Sequence, residues 1–185
     1  MVFESDGGIF IDGIFSDIDD LAPGPSNGQR WGVAKLTSDG NLDTSFTTSH
    51  EEGQKIEPTS FLRESDGSTF IAFNRLGVST AYPAIPHGFG RLLSNGSLDS
   101  GFDPIASFNP SPLGPNFISQ GFTPLSDGSL LLFGQGGNAV SYGHLVLNNG
   151  QWSEDTSYQA NTSVPFATAF PRSDGKVVLN GYSFN

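Results

Sequence analysis

Short apolar runs recur along the chain, and almost every one abuts an Asp-Gly or Asn-Gly pair. Gly8-Ile9-Phe10-Ile11, Ser68-Thr69-Phe70-Ile71-Ala72-Phe73, Ser129-Leu130-Leu131-Leu132-Phe133 and Lys176-Val177-Val178-Leu179 follow Asp6-Gly7, Asp66-Gly67, Asp127-Gly128 and Asp174-Gly175. A second series is interleaved, in which the apolar run precedes the pair. Val33-Ala34-Lys35-Leu36 leads into Asp39-Gly40, Gly90-Arg91-Leu92-Leu93 into Asn95-Gly96, and Leu145-Val146-Leu147 into Asn149-Gly150. Runs this short, bounded by turn dipeptides, predict strands and hairpins. Asp-Gly and Asn-Gly supply two φ>0 residues, so the expected turn is the two-residue type I′. Six of the seven pairs follow a Ser.

The two series define a repeat. The first set of pairs is spaced by 60, 61 and 47 residues and the second by 56 and 54. The second set is followed by an acidic-aromatic signature: Leu42-Asp43-Thr44-Ser45-Phe46, then Leu98-Asp99-Ser100-Gly101-Phe102. The third copy, Glu154-Asp155-Thr156-Ser157-Tyr158, carries two extra residues and lacks the Leu before its Asp, so its last strand is expected to be the most disturbed. Each unit holds two hairpins, four strands in the order a-b-c-d, which makes one antiparallel blade. Four-stranded units at roughly 40–60 residues predict an all-β chain of β-propeller blades rather than a solenoid or an immunoglobulin-like sandwich. The units run approximately 1–52, 53–109, 110–160 and 161–185, the last a partial a-b pair, so fourteen strands form about three and a half blades as an open arc or part of a larger ring. Propellers close with roughly 4–8 blades. Two copies do not close simply either, because the junction sets one a-b pair against another. The expected partners are therefore further repeats of the same chain or of neighbouring subunits.

The clearest signature pieces, Ala34 to Phe46 and Arg91 to Phe102, resemble the delta-60 repeat, also called the DUF5122 β-propeller repeat, and the resemblance extends over nearly the whole chain. It implies a large bacterial surface or secreted protein whose repeats act as a structural scaffold or recognition module, with no catalytic activity attached to the repeat.

Composition narrows the function classes. Eight Lys and Arg against 19 Asp and Glu give a formal charge of −11, and the basic residues are scattered singly, which speaks against nucleic acid. The absence of Cys excludes disulfides, thiolate metal sites and a Cys nucleophile. Gly (24) and Pro (12) argue against helices, while 16 Phe suffice for a core. No apolar run approaches the ~18–20 residues of a membrane span, and the first residues lack the basic and apolar regions of a signal peptide, so extracellular or cell-surface placement rests on the family resemblance.

No catalytic, cofactor or metal residue is assigned. Phe46, Phe102 and Tyr158, with Phe10, Phe70 and Phe133, recur from unit to unit and so predict inter-blade core rather than an aromatic ligand platform. Asp43, Asp99 and Asp155 are expected to accept a bond from the backbone N–H two residues on, bracing the turn before the aromatic residue. His50, His87 and His144 have no metal-ligand spacing, and no nucleophile elbow or phosphate loop is present. Gly134-Gln135-Gly136-Gly137 reads as a flexible loop, with the b–c connection spanning Gly134 to Ser141. The other b–c connections, Ser16 to Gln29 and Arg75 to His87, vary in length and content and are expected on one face, where propellers carry recognition. Asp12, Asp17, Asp19 and Asp20 make the first acidic enough to consider Ca²⁺, although the Gly and distal Glu of an EF-hand loop are missing. Asn109 to Pro115 reads as a stiff linker between units. The leading expectation is a non-enzymatic scaffold, adhesion or recognition module, with glycans among its ligands. The alternatives are a Ca²⁺-dependent lectin-like binder and a carbohydrate-active enzyme. The latter needs carboxylates converging at about 5–10 Å, whereas the strand interiors here are apolar.

Overall fold

The computed structural model describes residues 1–15, 30–46, 57–74, 88–102, 117–136, 139–155, 157–158, 166–172, 174 and 176–181, and all regular structure among them is β. Twelve strands form four antiparallel sheets in chain order. The first holds β1 (Val2–Phe3), β2 (Ile9–Phe15) and β3 (Arg30–Leu36). The second holds β4 (Glu57–Arg63), β5 (Thr69–Asn74) and β6 (Phe89–Leu92). The third is a full four-stranded meander of β7 (Phe117–Pro124), β8 (Leu130–Gly136), β9 (Ala139–Asn148) and β10 (Gln151–Glu154). The fourth pairs β11 (Phe166–Pro171) with β12 (Val177–Gly181).

The hairpins turn at the expected pairs, but five of the six turns that lie wholly among the described residues are not type I′. At Glu4-Ser5-Asp6-Gly7, Gly7 N–H donates to Glu4 O (3.0 Å) and Glu4 N–H to Gly8 O (2.8 Å). Only the Gly takes positive φ, +85°. This is a three-residue loop, a type I turn closed by a left-handed Gly. The turns at Gly40, Gly67, Gly96 and Gly128 repeat it, and Arg172 N–H to Lys176 O (2.8 Å) closes the last loop over the same span. The Asp or Asn holds its own loop by accepting the N–H two residues on, as in Gly8 to Asp6 (2.9 Å) and Ser97 to Asn95 (3.0 Å). Only Asn149-Gly150, the pair without a preceding Ser, has both residues at positive φ (51° and 78°) and makes the two-residue turn.

The expectation for the last strands is inverted. In the first two units strand d shrinks to single bridges, Leu36↔Leu42 and Leu92↔Leu98, so that twelve strands, not the predicted fourteen, stand among the described residues. The third copy, expected to be the disturbed one, has the only full strand d among the described residues, with four pairs from Gln151↔Asn148 to Glu154↔Leu145. Its additional residues lengthen the hairpin, whereas in the other copies the Asp follows one residue after the bridge and turns the chain away. Gly134-Gln135-Gly136 is likewise strand rather than loop, since β8 and β9 pair through Gly134↔Ser141 and Gly136↔Ala139.

The sheets stack face to face, and strand b of the second and third sheets is buried on both faces. In β5, Phe70 and Ala72 face the third sheet with Phe89, Phe122, Leu130, Leu132 and Leu145, while Ile71 faces the first sheet with Phe10, Val33 and Phe46. In β8, Leu131 and Phe133 turn toward Tyr142, Tyr158 and Val177. This two-sided burial explains why these strands read as continuous apolar runs rather than alternating ones. Strand a carries a register shift at one equivalent place in three units, Pro58/Ser60, Ser119/Gly121 and Phe166/Thr168.

Candidate functional site

The recurring aromatics are core, as their periodicity predicts. Phe10 and Phe46 meet edge to face at 5.2 Å, and Phe70 packs against Phe89, Phe102 and Trp152 at 5.1–6.0 Å. Phe133 stands two residues beyond the true equivalent of Phe10 and Phe70, which by register is Leu131.

Polar chemistry concentrates beside the c–d turns. Asp43, Asp99 and Asp155 each accept the N–H two residues on (Ser45 3.0 Å, Gly101 3.1 Å, Ser157 3.0 Å). Each also offers its backbone carbonyl to the aromatic N–H three residues on (Phe46 3.2 Å, Phe102 3.1 Å, Tyr158 3.1 Å). The expected brace is therefore present in all three copies. Each Asp has a second partner that the sequence reading missed. Its N–H donates to the carbonyl of a residue on strand c, Lys35, Arg91 or His144, all at 2.7–2.8 Å. The side chain of that same residue faces the carboxylate. Lys35 Nζ lies 3.8 Å from Asp43 Oδ2, Arg91 Nε donates to Asp99 Oδ2 at 2.9 Å, and His144 Nδ1 is 3.1 Å from Asp155 Oδ2. His144 is thus the third unit's counterpart of a Lys and an Arg. The signal is in the spacing, since Lys35 and Arg91 stand four residues before Asp39 and Asn95, and His144 five before Asn149.

The third unit consequently contains a Ser, His and Asp in line. His144 Nε2 is 2.8 Å from Ser129 Oγ, and His144 Nδ1 faces Asp155. Hydrogen-bond directions decide against a nucleophile. Ser129 donates both its Oγ–H (2.5 Å) and its backbone N–H (3.0 Å) to Asp127 Oδ1, and both Ser129 and His144 are buried, with the Tyr158 ring 4.6 Å from the imidazole at a 37° tilt. A nucleophilic Ser needs its proton directed to the base and its carbonyl-binding face open. When protonated, His144 donates from both nitrogens, to Ser129 and Asp155, as the cation between two carboxylates. Bonds from Ser129, with the charge of His144, hold Asp127 below the ordinary 3.8, and bonds from Ser157 and then His144 do the same for Asp155.

A second polar group ties two sheets together. Glu4 accepts from Lys35 Nζ (2.8 Å) in its own sheet and from Arg63 Nε (2.6 Å) in the next, all three largely buried. Arg63 also donates to Gly67 O and to Thr69 Oγ1 (3.0 Å) and lies over the Phe10 ring. Burial works to raise the Glu4 carboxyl, but Lys35 and Arg63 together hold it below its usual 4.5.

Of the other candidates, Asp12 pairs with the terminal ammonium of Met1 at 3.2 Å. Asp17, Asp19, Asp20, His50, His87, the connections 16–29 and 75–87 and the Pro-rich segment 109–115 lie outside the described residues. Among the described residues no group of three or more His, Asp or Glu is arranged to hold a metal.

Residues 4–46 match the family model described as "Domain of unknown function (DUF5122) beta-propeller". No curated protein and no solved structure matches the chain. The match runs from the first turn residue, Glu4, to the aromatic Phe46 that closes the c–d brace, and the same turn, brace and aromatic recur through Phe102 and Tyr158. Over residues 4–46 the chain is therefore similar to the DUF5122 β-propeller family.

Proposed function

We propose that the chain is a non-enzymatic scaffold of the cell exterior, an adhesion or recognition module that binds through the b–c ends of its sheets. The observation that carries this reading is the use of the polar side chains at the opposite end. Asp43, Asp99 and Asp155, their partners Lys35, Arg91 and His144, and Ser129 are all engaged in bracing the repeat. A turn end whose polar side chains are bonded to one another leaves the variable b–c connections as the sequence-diverse surface, the place where a fixed scaffold carries specificity. The extracellular setting follows by analogy with the repeat family.

A glycan array followed by product analysis tests this. Binding without turnover that is lost on replacing the 16–29 connection with a short Gly/Ser loop supports the reading. Hydrolysis abolished by a single Asp or Glu substitution would establish the carbohydrate-active alternative. A melting temperature raised by calcium and returned by chelator would favour the Ca²⁺-dependent lectin-like form.

A further inference from the structure

In the first unit one cation reaches both turns at the same end of the sheet. Lys35 Nζ lies 3.7 Å from Asp6 on the a–b turn and 3.8 Å from Asp43 on the c–d turn. The third unit makes the same span with a shorter side chain. His144 Nδ1 faces Asp155 Oδ2 at 3.1 Å. Its Nε2 reaches Asp127, the counterpart of Asp6, through the Ser129 hydroxyl, with 2.8 Å from ring to Oγ and 2.5 Å from Oγ to Asp127 Oδ1. Lys and Arg keep their charge at every physiological pH, whereas an imidazole gains and loses its proton between about pH 5 and 8.

Three contacts thus join Asp127, Ser129, His144 and Asp155 in a line, and each needs one proton between its two heavy atoms. Both carboxylates are acceptors only in this range. Bonds from Ser129 hold Asp127 below the ordinary 3.8, and bonds from Ser157 and then His144 do so for Asp155. An imidazolium brings two protons and Ser129 a third, so every contact is made. A neutral ring brings one, and two protons cannot serve three contacts. One pair of acceptors is then left face to face, at a ring whose side chain is 10% exposed. The surrounding groups do not supply the missing proton. Burial and then Tyr142 push the Tyr158 hydroxyl above its ordinary 10.0, so it stays neutral beside the imidazole. Glu154 pairs with Leu145 and shares its face with Trp152, opposite to that of His144. In the fourth sheet Pro171 stands where the second sheet has Arg63, and Arg172, Asp174 and Lys176 are exposed.

We propose that His144 is a proton-operated bridge: protonated, it ties the a–b turn of the third unit, through Ser129, to the c–d turn, and on losing its proton it lets one of these contacts go. The bridge is complete at the acid end of the imidazole range and is lost toward the alkaline end, the opposite sense to the paired carboxylates. The first two units, built on Lys35 and Arg91, hold their braces at either end of that range.

The test is urea unfolding of the 185-residue chain at about pH 5 and about pH 8, in a His50→Gln, His87→Gln background that leaves His144 as the one imidazole. Relative to His144→Arg, which installs the residue of the second unit and cancels the shared carboxylate titrations, the unfolding constant is expected to rise roughly ten-fold or more toward the alkaline end, as for one charge-assisted bond. His144→Lys serves the same purpose if the Arg variant misfolds. Nitrogen NMR of the unsubstituted ring gives an independent readout. Both ring nitrogens should carry protons at the acid end, and the Ser129 and Ser157 amides should shift together as one is lost. Ser129→Ala should leave Ser157 shifting while the amide at position 129 stays still. A pH dependence equal to that of the Arg and Lys variants, or a Ser129 amide indifferent to the titration of the ring, would each overturn the proposal.

Discussion

Gly121 lies in the register shift of β7, directly across from Phe133. A Cβ at this position would come within 2.6 Å of Phe133 Cζ, 2.8 Å of Cε2 and 3.0 Å of Ser60 Oγ in the neighbouring sheet. The Phe133 ring is itself buried, and Ser60 Oγ accepts the Phe122 N–H at 3.3 Å, so neither neighbour moves freely. Overpacking of this kind costs about 1–3 kcal/mol, while Gly→Ala returns about 0.4–1 kcal/mol by restricting the unfolded chain. Gly121→Ala should therefore destabilise by about 1–2 kcal/mol. The clash is chiefly with the ring, so in a Phe133→Leu background the same substitution should be neutral or slightly stabilising. Urea unfolding followed by circular dichroism, comparing midpoints at constant slope, gives the four stabilities of the cycle. A coupling smaller than about 0.5 kcal/mol, the scatter of independent sites, would refute the argument that ring and glycine are matched.

Glu4→Gln should cost about 1.5–3 kcal/mol, the range for hydrogen bonds to charged groups, because it uncouples Lys35 and Arg63 from a buried carboxylate; thermal melts measure it. Glu64 occupies the same turn position in the second unit, but burial first and Asp66 second raise its carboxyl, so Glu64→Gln should be neutral or stabilising at pH 7 in the same melts. Glu4, Asp6, Asp43, Asp66, Asp127 and Asp155 are all held below their ordinary values. Their stabilisation is complete above the ordinary 3.8–4.5 and is lost as pH falls through the lower folded values, so melting temperature should drop on acidification through that range. Lys35, raised above 10.5 by Glu4, acts in the opposite sense: its contribution is complete below 10.5 and disappears as pH rises through its folded value. Gly40→Ala meets no atom within 4 Å, so its cost should be the left-handed backbone alone, about 1 kcal/mol in urea unfolding.

Much of this protein follows from local chemistry that one sequence displays. Asp-Gly and Asn-Gly mark the turns because Gly enters the left-handed region without strain, and a neighbouring Asp or Asn can accept the N–H two residues on. The Asp43, Asp99 and Asp155 braces are legible for the same reason, since donor and acceptor lie two residues apart. Repetition identifies Phe46, Phe102 and Tyr158 as core, because a ligand site seldom recurs in every unit.

What remained for the tertiary structure is whatever depends on partners distant in sequence. Asp-Gly suits both a two-residue and a three-residue loop, and the residues that pair across the strands decide between them: Glu4 with Gly8, but Asn148 with Gln151. The same pairing spends the third unit's additional residues on a full β10, where the sequence pattern pointed to a damaged strand. His144 as the counterpart of Lys35 and Arg91, and the Glu4–Arg63 bond across two sheets, join residues brought together only when the chain folds back or one sheet stacks on the next. Burial belongs to the same class, because it is a property of what lies opposite a side chain and not of the side chain itself.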